Sequence, residues 1–228
     1  MGISNRLMTI AEYIPNRAIL ADIGSDHAYL PIYSVQKGIV EKAIAGEVNE
    51  GPYLTAKTNV MDQKLAHLID VRLGNGLEVL QPNEVNCITI AGMGGILITE
   101  ILTQGIDKLE SVGRLILQPM NSEPKLREWL IQHSYQILEE HIMKEYDIIY
   151  EILIAEPVKQ KLTLSHQDIQ FGPVLRRGKS ILFVEKWQDE INKREKVIHN
   201  IIKNGSNVAN QAKIQKIQQE ILEIKEVL

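Results

Sequence analysis

A chain of 228 residues with 44% hydrophobic and 24% charged content has the apolar mass for one full-sized domain plus an appendage, and its composition excludes a disordered class. Cys87 is the single cysteine, which excludes an internal disulfide framework and fits a reducing compartment. No basic stretch precedes an apolar N-terminal core and no long uncharged apolar run occurs, so a cytoplasmic protein is expected rather than a secreted or membrane-spanning one. The net charge of −4 is unevenly spread. Residues 1–156 carry 12 Lys+Arg against 21 Asp+Glu, or −9, whereas residues 157–228 carry 13 against 8, or +5. An acidic body with a basic tail would grip a polyanion through the tail.

In chain order, Leu7, Ile10, Ala11 and Ile14 have the spacing of a short opening helix that ends at Pro15-Asn16. Ala18–Ile23 predicts a first strand, followed by a helix from about Tyr29 to Gly38. Lys42–Val48 predicts the second strand, with Glu47 near its carboxyl end. Asn49 is placed to cap the next helix and Pro52 falls in its first turn, with Leu54, Val60 and Met61 expected to face inward. Ile69–Leu73 predicts the third strand, ending in Gly74-Asn75-Gly76. Val85–Ala91 is the fourth, followed by Gly92-Met93-Gly94-Gly95 and an apolar helix through Ile96, Leu97, Ile101 and Leu102.

Arg114–Gln118 predicts the fifth strand, interrupted by Pro119, which cannot donate to a ladder. Ser122 and Pro124 open a helix with Leu126, Trp129 and Leu130 on one face. Strands near Ile137–Met143 and Ile148–Ala155 are too closely linked to be parallel and must form an antiparallel pair. Five βα units followed by an antiparallel edge predict a mostly parallel seven-stranded sheet with helices on both faces, over residues 1–156.

Pro157 marks the expected boundary, and the strand pattern stops there. Over 157–228 two helical runs flank Asn204-Gly-Ser206. Ile214, Ile217, Ile221, Ile224 and Leu228 in one, and Val184, Trp187, Ile191, Ile198 and Ile201 in the other, have the spacing of a coiled-coil seam. The short linker predicts an antiparallel helical hairpin.

An open α/β sheet binds its ligand at the carboxyl ends of its strands. Those ends supply Asp22, Gly24, Asp26 and His27 from strand one, and Glu47 and Val48 from strand two. Strands three and four add Asn75 and Gly76, then Ala91, Gly92, Met93 and Gly94. A carboxylate at the end of strand two suits the paired hydroxyls of a ribose. Gly-Ser-Asp-His departs from the dinucleotide-binding Gly-x-Gly-x-x-Gly, and Asp26 would repel a pyrophosphate. An adenosine carrying a cationic amino-acid arm fits better, and S-adenosylmethionine meets that description. These twelve residues are the candidate cofactor set. Cys87 is expected to be a small buried hydrophobe. His133, His141, His166 and His199 lack metal-ligand spacing, so no metal site is predicted.

Five segments resemble the bacterial TrmK family of tRNA adenine-N1 methyltransferases: Asp22-Ile-Gly-Ser-Asp-His-Ala-Tyr-Leu-Pro, Gly46-Glu-Val-Asn, Gly74-Asn-Gly, Ile90-Ala-Gly-Met-Gly-Gly and Leu117-Gln-Pro-Met-Asn. They fall in order across residues 5–156, and the helical tail is similar in pattern to that family's second domain. The resemblance implies a class I Rossmann-like methyltransferase that transfers a methyl group from S-adenosylmethionine to adenine N1 at position 22 in the D-arm of tRNA. Asp26, His27, Met93 and Asn121 are then the expected catalytic residues, with His27 more a hydrogen-bonding support than a proton carrier. The partner implied is tRNA, with no membrane and no metal, in a monomer or a weak dimer through the tail. Two other readings are open at this point: a methyltransferase for a small molecule or protein with a dimerising tail, and a non-catalytic binding scaffold.

Overall fold

The computed structural model describes residues 2–160, 162–203 and 208–228. The expected linker at Asn204-Gly-Ser206 lies outside the described residues. The chain divides into two compact units, Met1–Pro173 and Val174–Leu228, later than the boundary read at Pro157. With that division the net charges are −8 (14 Lys+Arg against 22 Asp+Glu) and +4 (11 against 7), so the asymmetry persists.

Unit one contains α1 (Asn5–Glu12), β1 (Ala18–Ile23), α2 (Tyr29–Gln36), β2 (Val40–Glu47), α3 (Glu50–Asp62), β3 (Ile69–Leu73), β4 (Cys87–Met93) and α4 (Gly95–Gln104). β5 (Arg114–Pro119), α5 (Glu123–Gln132), β6 (Tyr135–Glu145), β7 (Ile148–Pro157) and α6 (His166–Phe171) complete it. The sheet order is β3-β2-β1-β4-β5-β7-β6, parallel from β3 to β5 and antiparallel at β5/β7 and β7/β6. Two cores cover its faces. One packs Ile10, Leu30, Ile32, Ala56 and Val60 of α1–α3 against Leu20, Ala43 and Ile154. The other packs Ile98 and Leu102 of α4 and Leu126, Trp129 and Leu130 of α5 against Ile23, Ile90, Leu115 and Leu153.

Some inward faces differ from the expected ones. Val60 is buried as expected, but Leu54 and Met61 are 52% and 60% exposed, and α3 buries Ala56 and Asn59 instead. In α4, Ile101 and Leu102 are buried while Ile96 and Leu97 stay largely exposed and Ile98 takes the inward place.

The β6/β7 hairpin outruns its neighbour. β5 pairing stops at Leu117↔Leu153, whereas β7 begins at Ile148. At ~3.4 Å per residue the ribbon extends roughly 17 Å past that pair, on the carboxyl side of β5. Its tip is a two-residue turn, Tyr146-Asp147, with φ of 48° and 63° as a type I′ hairpin turn requires. The N-terminus of α1 is fastened to this overhang. The Asn5 N–H donates to Glu145 Oε1 at 2.7 Å, and the Arg6 guanidinium lies 5.4 Å from the centroid of the Tyr150 ring.

Arg127 in α5 is 1% exposed. It donates from Nε to Glu140 Oε1 at 2.7 Å, from Nη2 to Glu151 Oε2 at 2.6 Å, and from Nη1 to the Ile169 carbonyl of α6 at 3.3 Å. Burial opposes its charge, but the two carboxylates outweigh that and hold its pKa above the usual arginine value. This cation ties α6 to the sheet and explains why the compact unit continues past Pro157.

Unit two contains α7 (Leu175–Gly178), α8 (Ile181–Lys203) and α9 (Val208–Val227). Phe183, Trp187 and Ile191 of α8 and Ile221, Ile224 and Val227 of α9 are buried, and Arg194 Nε donates to Glu220 Oε2 at 3.1 Å between the two helices. Phe183 takes the buried position expected of Val184, which is 41% exposed.

Candidate active site

The register places the candidate residues along one edge. The β1/β2 pairing ends at Ile23↔Gly46, one residue before the end of β2, and the turn after β1 is pinned by N–H donations from Gly24 (2.9 Å) and Ser25 (3.2 Å) to the Gly46 carbonyl. Gly24 has a φ of 70°, and a Cβ there would collide with Met93 Cε. Asp26 and Ala28 are also left-handed, with φ of 56° and 58°; strain of this kind collects where a loop must present groups in one arrangement.

Asp22 lies opposite Thr89 in the ladder and is 5% exposed. Its two carboxylate oxygens accept from Ser25 Oγ and Thr89 Oγ1, each at 2.6 Å. Burial pushes its pKa up, opposed by those two hydrogen bonds and by the charge of Arg6. Its oxygens are already engaged, so Asp22 holds the turn. Sequence reading missed Thr89, although a hydroxyl between Ile88 and Ile90 in a central strand is a signal that a polar partner lies opposite.

Glu47 ends β2 and is buried, and one of its carboxylate oxygens accepts the backbone N–H of Asp26. Burial raises its pKa and neighbouring Asp26 and Asp22 raise it further, against the Asp26 N–H bond and His27. Its other oxygen is available to a ligand hydroxyl. The Gly74 N–H donates to the Glu47 carbonyl at 2.7 Å, which brings Asn75 and Gly76 beside it. Val48, the next residue, is 58% exposed.

His27 has its Nδ1 buried without a hydrogen-bond partner among the described residues. Its Nε2 lies 3.6 Å from Asp26 Oδ1, its ring is tilted against Tyr29, and its carbonyl accepts from Asn59 Nδ2 at 3.0 Å.

At the end of β4, Gly92 (φ 78°) forms a bulge: Ala91 pairs Gln118 and Met93 pairs Pro119. The freed Gly92 N–H donates to Gln118 Oε1 at 3.1 Å, and Arg6 Nη1 donates to the same oxygen. The Met120 N–H donates to the Met93 carbonyl and the Gly95 N–H to the Asn121 carbonyl, so the turns after β4 and β5 are stitched together. A Cβ on Gly94 would sit 3.3 Å from Asn121 Oδ1, which places Met93, Gly94 and Asn121 side by side. All thirteen sequence-derived candidates for cofactor or catalysis therefore reach the carboxyl edge of the sheet. Arg6 was missed, because α1 was read only through its apolar face.

The donor set fits S-adenosylmethionine. A half-engaged buried carboxylate suits its ribose, Gly24 and Gly92 leave room a Cβ would fill, and the His27 Nδ1 lacks a partner. A parallel sheet of this order closed by an antiparallel β7, with that constellation at its carboxyl edge, defines a Rossmann-like methyltransferase.

Within that class, residues 20–226 match the family TrmK: tRNA (adenine(22)-N(1))-methyltransferase, and the chain belongs to that family. It is 41% identical over its whole length to the tRNA (adenine(22)-N(1))-methyltransferase of Bacillus subtilis (strain 168), covering 98% of that protein. A Streptococcus pneumoniae protein solved in complex with S-adenosyl-L-methionine superposes with a TM-score of 0.91, at 46% identity and with all of both chains covered. The M. capricolum TrmK structure, in complex with S-adenosyl-homocysteine, gives a TM-score of 0.86 at 32% identity, covering 98% of this chain and 96% of that one.

Proposed function

We propose that this protein methylates N1 of adenosine 22 in tRNA, using S-adenosylmethionine. The observation that carries the reading is the carboxyl-edge arrangement of Glu47, the Gly24 turn and the Gly92 bulge, in a chain that belongs to this family along nearly its full length. The cofactor supplies an electrophilic methyl on a sulfonium. Glu47 holds the ribose, and Val48, Asn75 and Gly76 flank the adenine beyond it. Gly24, Asp26, His27, Ala91 and Met93 line the space between ribose and target.

The nucleophile is the N1 lone pair, so no side chain has to create it, and placement in line with the methyl does most of the work. The product ring is cationic, and the Asp26 carboxylate is the charge that stabilises it, with His27 orienting that carboxylate. Asn121, set against Gly94, reaches the target base. Extruding that base costs a few kcal/mol, which RNA contacts elsewhere must offset. The basic unit of residues 174–228 supplies them, with the α8/α9 hairpin paired within the chain and the protein working as a monomer in the cytoplasm. No helix of the described residues is long and apolar enough to cross a membrane, and among them no cluster of His, Cys, Asp or Glu is placed to hold a metal.

The test is mass spectrometry of tRNA after incubation with the protein and methyl-labelled S-adenosylmethionine. Label on N1 of adenosine 22 is expected, and label elsewhere or on protein would overturn the assignment.

A further inference from the structure

The chain between β3 and β4 holds a single 3₁₀ turn, Gly76–Val79, where the neighbouring βα units hold α-helices. On the α4 side of the sheet a cavity of about 400 Å³ opens over the amino halves of β1, β2 and β3. That is near the small end of the roughly 300–1,000 Å³ found for small-molecule sites. Ile19 and Ile44 supply apolar lining, and Lys42, His67, Arg72 and Glu84 supply polar lining.

Lys42 is out of place there. β2 is an internal strand, paired with β1 on one side and β3 on the other, and internal parallel strands are normally apolar on both faces. The register shows what puts a lysine on this face. Ala18 pairs with Val40 but Ile19 pairs with Lys42, so Glu41 is an extra residue in β2. That bulge re-aims Lys42 to the side of Ile44, while Glu41 turns out to accept from Arg17 Nε at 2.7 Å. Neither Lys42 Nζ nor the His67 ring makes a hydrogen bond or ion pair with any described residue. Arg72, by contrast, is fully committed. It donates from Nε to Asp70 Oδ2 at 2.7 Å, from Nη1 to the Val79 carbonyl at 2.7 Å, and from Nη2 to Glu84 Oε1 at 2.7 Å. Glu84 Oε2 accepts the Gln81 N–H at 2.8 Å as well. These bonds fix one wall of the cavity and turn both carboxylates away from Lys42.

The charged side chains of the lining cancel, two cations against two anions, and Lys42 is the cation left for a guest. A guest with one negative charge fits that balance, whereas a doubly charged phosphate would set its excess charge beside Asp70 and Glu84. Three adjacent strands make a broad floor, which a flat apolar ring covers more fully than a branched chain. We infer that this cavity binds a small aromatic carboxylate. Lys42 pairs with the carboxylate, the His67 ring can donate a second bond to it, and Ile19 and Ile44 pack against the ring. Five residues of strand, roughly 16 Å, separate Lys42 from Glu47. The site is therefore distinct from the cofactor edge and does not depend on the methyltransferase reading.

Amide NMR of the full chain, titrated with 2-naphthoate, tests it. Saturable shifts are expected at Ile19, Lys42, Ile44 and His67, and they should persist with S-adenosylhomocysteine present. 2-Naphthamide has the same shape without the charge and should bind about tenfold more weakly. Lys42→Met keeps the stem without the ammonium, so it should weaken naphthoate by a similar factor and change naphthamide by less than about twofold. That variant should melt like wild type, because Nζ has no partner to lose. Lys42→Arg should retain naphthoate binding. Equal affinity for the two probes, or unchanged naphthoate affinity in Lys42→Met, would overturn the inference. So would tighter binding of 2-naphthyl phosphate than of naphthoate, or no saturable shift at millimolar naphthoate. Shifts centred on Glu47 and Asn75 and abolished by S-adenosylhomocysteine would place the probe at the cofactor edge and overturn it as well.

Discussion

Glu47 accepts the backbone N–H of Asp26 on one carboxylate oxygen, so the end of β2 is tied directly to the turn that follows β1. The bond fixes the carboxylate's direction and leaves its second oxygen for a hydroxyl. Burial holds the group's pKa above the ordinary 4.5. A carboxyl whose folded pKa is raised makes the ligand-free protein lose stability as pH rises through that value, and a ligand that donates to the carboxylate restores it.

Cofactor affinity should therefore increase with pH through a range lying above 4.5, with proton release on binding across that same range. Glu47→Gln should weaken S-adenosylmethionine at neutral pH at least tenfold, about 1.4 kcal/mol, and should flatten that pH dependence. Calorimetry at several pH values in buffers of different ionisation enthalpy measures both. An unchanged profile would remove Glu47 from the ribose.

The glycines of the two turns should rank by what surrounds them. Gly24→Ala has to hold a left-handed φ of 70° and displace Met93, so the strain alone costs roughly 1–2 kcal/mol, with turnover reduced. Gly95→Ala meets the Asn121 and Ser122 carbonyls at 2.7 Å, which cannot move independently, and should melt well below wild type. Gly94→Val meets only the Asn121 side chain closely, so it should keep its circular dichroism spectrum and lose turnover. Thermal melts beside initial rates separate the three.

Arg127→Met removes the cation shared by Glu140 and Glu151 and should cost about 3–5 kcal/mol of stability by denaturant melts. Gly172→Ala would place a Cβ 2.6 Å from Glu140 Oε2 and 2.8 Å from Arg127 Nη2, at a φ of 86°, and should destabilise by the same route. Cofactor affinity in whatever fraction stays folded should be unchanged, because this cluster lies away from Glu47.

The basic unit is expected to grip tRNA. Arg177 in α7 and Lys179 just after it are exposed, and Arg177→Ser with Lys179→Ser should lower the salt dependence of tRNA binding by up to about two counterions' worth of slope. A chain ending at Pro173 keeps α6 on Arg127 and should bind S-adenosylmethionine like the full chain, while binding tRNA far more weakly. One ending at Glu156 loses the α6 carbonyls that Arg127 uses and should be less stable. Filter binding over a salt series, together with melts, decides each part. Full tRNA affinity in the Pro173 truncation would make the tail's charge incidental.

The parallel βα units and the antiparallel strand pair were legible because each is written locally. Short apolar runs that end in an acidic residue, a glycine turn or both mark the first four βα junctions. What escaped depends on partners distant in sequence. Arg6 matters through Gln118 and Gly92, and no periodicity in α1 distinguishes it from any other solvated arginine. Thr89 matters only because the register sets it against Asp22. The exposure of Leu54, Met61, Ile96 and Leu97 depends on which face of each helix the sheet covers, and apolar spacing alone does not encode that. Arg127 reads as one more helix charge until β6, β7 and α6 close around it.

The overhanging β6/β7 ribbon offers a place to watch the reaction from outside. Its tip residues, Tyr146 and Asp147, are almost wholly exposed, and the tip lies beyond the sheet on the side where the substrate must arrive. A fluorophore on a cysteine at 147 would have only Cys87 as a competing thiol, and that one is buried in β4. Its signal would report the approach and departure of RNA in real time, leaving every residue assigned to cofactor or target base untouched.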